Sequence, residues 1–285
     1  MPLSLSAYLV LGLAIACTPF ISWRWVPLGL FAASLVLALS VGVLEWAGLL
    51  FVLCWAVVSA YLFKQHFPVW LYCLMVGLLV LAIHLVMTHT VPGFNNLQVL
   101  KGVKTSPDAV PYSLYLNFDK ASLGFLLFFF AAPRISSLKE WRRCLVWTLL
   151  IFIPTAAVLI GTTYAAGLVV FEPKLVAFLP IWIFANLLFT CVAEEVFFRQ
   201  FVMGQIMEKL GNSLWAGGVA LVLSSLFFAY YHLSGGVAYA VFAFIAGLFY
   251  GTAFWKTGRV EAAIGVHFLV NLTHILLFTY PVLAK

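Results

Sequence analysis

The sequence predicts an all-α fold, a polytopic transmembrane helix bundle with about eight to ten membrane helices. Composition is the first reason: of 285 residues, 65% are hydrophobic and 8% are charged, whereas a soluble domain carries about 25% charged residues. The second reason is that apolar stretches of about 20 residues, enough to cross a bilayer, recur along the chain. A chain of this kind cannot hide its apolar surface in a water-facing fold.

Ten apolar segments follow one another, separated by short polar or proline-containing intervals. The longest interval, 88–112, contains Pro92, Pro107 and Pro111 and predicts an extramembrane loop. The fifth segment is interrupted near its start by Asp119 and Lys120. The predicted segments are 4–22, 26–44, 46–63, 69–87, 113–132, 144–170, 176–207, 213–233, 236–255 and 260–280.

The charged residues and cysteines argue against other classes of protein. The net charge is +6, and the basic residues lie mostly at segment ends, as expected for membrane topology. This distribution does not indicate nucleic-acid binding. Arg134, Lys139, Arg142 and Arg143 form the densest basic loop, which the positive-inside rule places in the cytoplasm. The five cysteines have no CxxC spacing, so they are interpreted as membrane-buried thiols rather than a disulfide or zinc framework.

Two adjacent carboxylates and an arginine interrupt the seventh apolar segment, in the stretch CVAEEVFFR. An ionisable residue in hydrocarbon costs about 2.5–3.5 kcal/mol and usually marks a function. Glu195 and Arg199 are four residues apart, so they share a helix face and can pair. Glu194 is rotated by about 100° from that face. An ion pair that only locks helices together is the alternative for Glu195 and Arg199, but it does not explain Glu194.

Two further polar sites lie in later segments. His232 follows Phe228 by one turn in FFAYYHLSGG, and the alternative is an interfacial histidine in an aromatic belt. His267 and Asn271 share one helix face in GVHFLVNLTH, and the alternative is polar contact between packed helices. His274, farther along that helix, is interpreted as interfacial.

The spacing predicts that these sites reach similar depth in the bilayer. Glu194 lies 17 residues before Gly211 and His232 lies 21 residues after it, so a hairpin turning at Gly211-Asn212 would align them. The third site starts eight residues beyond Arg259, on a helix that begins at the same side. One pocket would then hold two carboxylates, two imidazoles and a carboxamide.

Such a pocket has the parts of a hydrolase whose nucleophile is water. A carboxylate beside a histidine can act as general base, and a histidine beside an asparagine can stabilise an oxyanion. Glu194, His232 and His267 could instead hold a divalent metal such as zinc. A transporter would also bury Glu and His residues, although the inverted repeats of many transporters are not seen in this sequence.

The three motifs resemble, in order, those of the type II CAAX prenyl endopeptidase and bacteriocin-processing family, also called CPBP or ABI. EEVFFR matches EExxxR, FAYYH matches FxxxH and HFLVN matches HxxxN. The resemblance covers roughly 144–280. It implies a glutamate-dependent intramembrane endopeptidase whose residues are Glu194 and His232 for water activation, His267 and Asn271 for the oxyanion, and Glu195, Arg199 and Phe228 in support.

The resemblance also implies the setting of the protein. The expected partners are the lipid bilayer and a membrane-associated peptide or protein substrate, with no nucleic acid. The expected location is the prokaryotic cytoplasmic membrane. Residues 1–143 would be N-terminal membrane helices and 144–285 the catalytic bundle. A metal-dependent form of the protease and a non-enzymatic transporter or bacteriocin-immunity protein remain the alternatives.

Overall fold

A computed structural model of the chain describes residues 3–62, 67–211 and 213–284, and over these it confirms the predicted all-α helix bundle. Residues 64–66 of the predicted break at 64–68, and Asn212 of the break at Gly211-Asn212, lie outside the described residues. The helices and strands are α1 (Leu3–Cys17), α2 (Trp25–Ser40), α3 (Trp46–Leu62), α4 (Val69–Met87), β1 (Leu97–Val103), β2 (Tyr112–Leu116), α5 (Phe118–Ala131), α6 (Leu138–Ala165), α7 (Leu179–Leu210), α8 (Leu214–Tyr230), α9 (Val237–Thr257) and α10 (Val260–Leu277).

Among the described residues, five helices are long and apolar enough to cross a membrane, namely α4, α6, α7, α9 and α10. Four further apolar helices, α1, α2, α3 and α8, have 15 to 17 residues each. The chain is therefore an integral membrane protein. Helix α7 has 32 residues, about 48 Å at the α-helical rise, which exceeds a hydrocarbon core of about 30 Å. Glu208 and Lys209, near its end, are exposed.

The fifth predicted segment, 113–132, was wrong at its start. Its first residues form strand β2, which pairs with β1 in a two-stranded sheet. Burial alternates along β2, with Tyr115 exposed and Leu116 buried, which is the period of a strand rather than a helix. The helix begins only after Asn117.

The chain forms two compact units, and the first contains residues 1–97, 115–134 and 188–193. Helix α5 lies within its core, since 11 of its 14 residues are buried. A Cβ atom at Gly124 would stand 2.7 Å from the Cβ of Ala193, so α5 and this part of α7 approach closely. Asp119, which interrupts the fifth predicted segment, is 3% exposed, and its Oδ2 lies 2.8 Å from Nδ1 of His89.

The second unit contains residues 98–114, 135–187 and 194–285. Ser137 caps α6 by accepting a hydrogen bond from the backbone N–H of Glu140. Helix α6 packs closely on α10, because a Cβ atom at Gly265 would meet the side chain of Thr148 at 2.8 Å. The division into N-terminal membrane helices, 1–143, and a catalytic helix bundle, 144–285, stays a prediction.

A layer of extended backbone joins three stretches of the second unit at one end of α10. The backbone N–H of Val110 donates to the carbonyl of Val282, at 3.0 Å, and that of Leu283 donates to the carbonyl of Leu168, also at 3.0 Å. His274, predicted to be interfacial, contacts this layer through the carbonyl oxygen of Thr279, 3.1 Å from its Nε2. We call the stretches 105–110, 168–174 and 278–284 the extended layer.

Helices α8 and α9 pack at the short distance that the GxxxG pair Gly247 and Gly251 predicts. A Cβ atom at Gly247 would lie 2.9 Å from the Cβ of Ser225 and 3.1 Å from its Cα, so the backbone itself is in the way. At Gly251 the nearest atom is the Leu221 Cδ1, at 2.4 Å.

We expect Gly247→Ala to lower the free energy of unfolding by about 1–3 kcal/mol, the usual cost of overpacking. The measurement is thermal unfolding in detergent. The matched control is Gly161→Ala in α6, where an added Cβ would meet nothing within 4 Å. That change should be neutral or stabilise by up to about 1 kcal/mol. Equal effects at the two positions would contradict the close packing.

Candidate active site

The two adjacent carboxylates lie on a short α-helical stretch of α7 between two π-helical stretches. Residues Ala185–Cys191 and Val196–Met203 are π-helical, and Val192–Glu195 between them is α-helical. π-helical turns are rare overall, and those that occur are often found at functional sites. They shift the residues that follow around the helix axis, so they set which side chains of α7 face α9 and α10.

Glu195 is the centre of a buried charged cluster. Its Oε1 accepts a hydrogen bond from Nη1 of Arg199 at 3.1 Å and lies 2.8 Å from Nδ1 of His267. Glu195 and Arg199 are both 0% exposed, and His267 is 5% exposed. The ion pair expected from the i,i+4 spacing is present, and it includes a histidine that the sequence analysis assigned to a different part of the site.

The guanidinium of Arg199 is enclosed by aromatic rings and one carbonyl group. Its Cζ lies 4.5 Å from the ring centroid of Phe228 and 5.4 Å from that of Tyr250, within the range of cation–π attraction. Its Nη2 donates to the carbonyl oxygen of Gly247 at 3.3 Å. The ring of Tyr250 also stacks on His267, with centroids 4.6 Å apart. Tyr250 and Gly247 thus hold the cluster from α9.

Phe228 connects the two histidines. Its ring centroid lies 4.3 Å from that of His232 and 6.1 Å from that of His267. His232 follows the end of α8, and its Nδ1 lies 2.7 Å from the carbonyl oxygen of Phe228. A carbonyl oxygen can only accept, so Nδ1 is the donor. In the neutral ring the lone pair is then on Nε2.

Glu194 and Asn271 complete the set of predicted residues. Glu194 is 7% exposed and interacts electrostatically with Arg199 and Tyr239. Nδ2 of Asn271 donates to Oδ1 of Asn186 at 3.3 Å. Asn186 lies in the first π-helical stretch of α7, eight residues before Glu194. All the predicted site residues lie in the second unit.

The residues named as alternative metal ligands, Glu194, His232 and His267, do not form a metal-binding group. Within the described residues no three His, Cys, Asp or Glu side chains come together in a way that could hold an ion. As arranged in the described residues, the three side chains do not meet the ligand geometry of a zinc site.

Sequence reasoning missed three side chains that contact the predicted site. Asn186 and Tyr239 are polar residues in apolar helices and could have been singled out on that ground. Tyr250 lies one turn after Gly247. Tyrosine is common at membrane interfaces, so its presence in the sequence did not indicate that its ring stacks on His267.

The comparisons with known proteins agree with the motifs. Residues 176–273 match the family model described as type II CAAX prenyl endopeptidase Rce1-like. This range contains all three motifs and every predicted site residue. No curated protein and no solved structure matches the chain significantly. Over residues 176–273 the chain therefore matches the Rce1-like family of type II CAAX prenyl endopeptidases, which confirms the resemblance predicted from its motifs.

Proposed function

We propose that the protein is an intramembrane endopeptidase that hydrolyses a peptide bond of a membrane-associated substrate with an activated water molecule. The observation that carries the proposal is that residues of all three motifs meet around the buried pair of Glu195 and Arg199. Glu195 contacts His267 directly, and Phe228 contacts both histidines. We further propose that it acts in the prokaryotic cytoplasmic membrane.

Glu194 and His232 would hold the attacking water. The Nε2 lone pair of neutral His232 can accept a hydrogen bond from the water, because Nδ1 is bound to a carbonyl group. The carboxylate of Glu194 would take the proton as the water oxygen bonds to the carbonyl carbon. When the C–N bond breaks, the same proton would pass to the leaving nitrogen, so that Glu194 ends the cycle ionised.

His267 and Asn271 would donate hydrogen bonds to the oxyanion. Nδ1 of His267 faces the Glu195 carboxylate, so that nitrogen donates. Nε2 can donate to an oxyanion only if the ring carries both protons. An imidazolium between the Glu195 carboxylate and the developing oxyanion meets this requirement, since both neighbours are negative. This ring would keep its proton throughout, in contrast to a general base.

Asn186 would orient the amide of Asn271. Its Oδ1 accepts one N–H of that amide, which fixes the end of the amide that can donate. We expect Asn186→Leu to lower kcat by about 10- to 100-fold, the range seen when a group that orients a functional side chain is removed. Asn186→Asp retains an acceptor and should restore part of the rate. Steady-state kinetics in detergent would measure both, and equal rates for the leucine variant and the wild type would contradict the role.

Cleavage is the test of the proposed function. A fluorogenic prenylated CAAX peptide is one probe, and comparison of peptide termini in membranes with and without the protein is the second. Both should report cleavage with wild-type protein and none with His232→Ala. The control is His274→Ala, which removes a histidine of α10 that contacts the extended layer. Termini that persist with His232→Ala, or that never depend on the protein, would overturn the proposal and favour the transporter or immunity alternative.

Sensitivity to a chelator distinguishes a metal-free protease from a metal-dependent one. Because no metal-binding group is present among the described side chains, we expect EDTA to leave the rate of the purified wild-type protein unchanged. Loss of activity with EDTA and its recovery with zinc would contradict the metal-free mechanism.

A further inference from the structure

The turn between α8 and α9 brings a tyrosine onto His232. Gly235 ends a short 3-10 turn, and Tyr239 lies four residues later in the first turns of α9. A Cβ atom at Gly235 would lie 2.4 Å from Cδ1 of Tyr239 and 3.1 Å from its Cγ. Any other residue at 235 would therefore push this ring away. The space that a side chain at position 235 would occupy is filled by the ring of Tyr239.

Tyr239 has two neighbours in the candidate site. Its ring centroid lies 5.4 Å from that of His232, so the imidazole contacts both Tyr239 and Phe228. Its hydroxyl group interacts electrostatically with the carboxylate of Glu194. These are the two residues that would hold the water: the ring of Tyr239 contacts His232, and its hydroxyl group is within electrostatic range of Glu194.

Tyr239 also differs from Glu194 in exposure. The tyrosine is 54% exposed and the glutamate is 7% exposed. The side chain of Tyr239 is therefore the more accessible of the two. The tyrosine hydroxyl is a donor as well as an acceptor, and it stays neutral when it donates to a carboxylate or a water molecule.

We propose that Tyr239 is a positioning residue for hydrolysis, whose ring orients His232 and whose hydroxyl group holds the water against Glu194. This inference rests on the proposed function and adds a residue outside the three motifs. Tyr239 transfers no proton in this role: the water gives its proton to Glu194, and Tyr239 donates a hydrogen bond that keeps the water oxygen in line with the carbonyl carbon.

The experiment separates the hydroxyl group from the ring. Tyr239→Phe removes only the hydroxyl group and Tyr239→Leu removes both. The matched control is Tyr230→Phe: Tyr230 is 53% exposed, and its ring contacts include Phe227 and Tyr231. Cleavage of the prenylated peptide by purified protein gives kcat and KM, and thermal unfolding in detergent reports the fold.

We expect Tyr239→Phe to lower kcat by about 10- to 100-fold, as for groups that orient functional histidines elsewhere. KM should change little, and the unfolding midpoint should match that of Tyr230→Phe. Tyr239→Leu should lower kcat further. Wild-type kcat in Tyr239→Phe, or an equal loss in Tyr230→Phe, would overturn the inference even where Glu194→Gln abolishes cleavage. Cleavage that does not depend on Glu194 would instead overturn the proposed function, and the inference with it.

Discussion

Glu194→Gln is expected to lower kcat by about 10²- to 10⁴-fold, the contribution of a positioned general base. Glutamine keeps the size of the side chain and can still hydrogen-bond to water, but it cannot take a proton. Glu194 interacts electrostatically with Tyr239, whose ring centroid lies 5.4 Å from that of His232. Single-turnover cleavage of the prenylated peptide measures the loss, and the unfolding midpoint should stay near that of the wild type.

The adjacent carboxylate provides the comparison. Glu195→Gln also removes one negative charge, but from a group that contacts both Arg199 and His267. We expect Glu195→Gln to lose both stability and activity, whereas Glu194→Gln loses activity alone. Retained cleavage in Glu194→Gln, with loss confined to Glu195→Gln, would reverse the roles and make Glu195 with His267 the general base.

Arg199→Met is expected to lower the free energy of unfolding by about 3–5 kcal/mol. Removing one partner leaves the other charge buried without compensation, and that cost is larger than the net worth of the pair. Glu195 is 0% exposed, and its Oε2 has no hydrogen bond to any of the described residues. Methionine retains much of the apolar volume that Phe228 and Tyr250 enclose. Thermal or denaturant unfolding in detergent would measure the change.

The control pair has the same N–O distance and is more exposed. Nη2 of Arg259 lies 3.1 Å from Oε1 of Glu140, the distance found for Arg199 and Glu195. Its side chains are 18% and 35% exposed, against 1% and 0% for the buried pair. Solvent screening weakens such pairs, so Arg259→Met should have a much smaller effect. An equal loss of unfolding free energy in the two variants would mean that burial does not determine the effect of removing Arg199.

The sequence predicts most helices because apolar length is a local property. It also predicts the Glu195–Arg199 pair, since residues four apart in a helix are neighbours whatever surrounds them. The meeting of Glu195 with His267 follows less directly. Depth along two helices can be counted from their ends, but the rotation of each helix cannot be read from α7, whose apolar residues surround it on all sides.

The features that remained hidden depend on backbone detail and on distant partners. The π-helical stretches of α7 have no signature in an apolar sequence, yet they determine where Asn186 and Glu194 face. Strand β2 resembled the start of a membrane helix, because an alternating pattern over five residues is short. Tyr239 became notable only when the turn at Gly235 placed it on His232.

The extended layer has a consequence for the order in which the protein is made. Residues 105–110 and 168–174 leave the ribosome long before residues 278–284, whose backbone groups they bond. Their hydrogen bonds therefore have no partner until α10 has been synthesised and inserted. During that interval the loop at 105–110 must be solvated or held by another factor. The hydrogen bonds of the extended layer can therefore form only after α6, α7 and α10 have been synthesised and packed together.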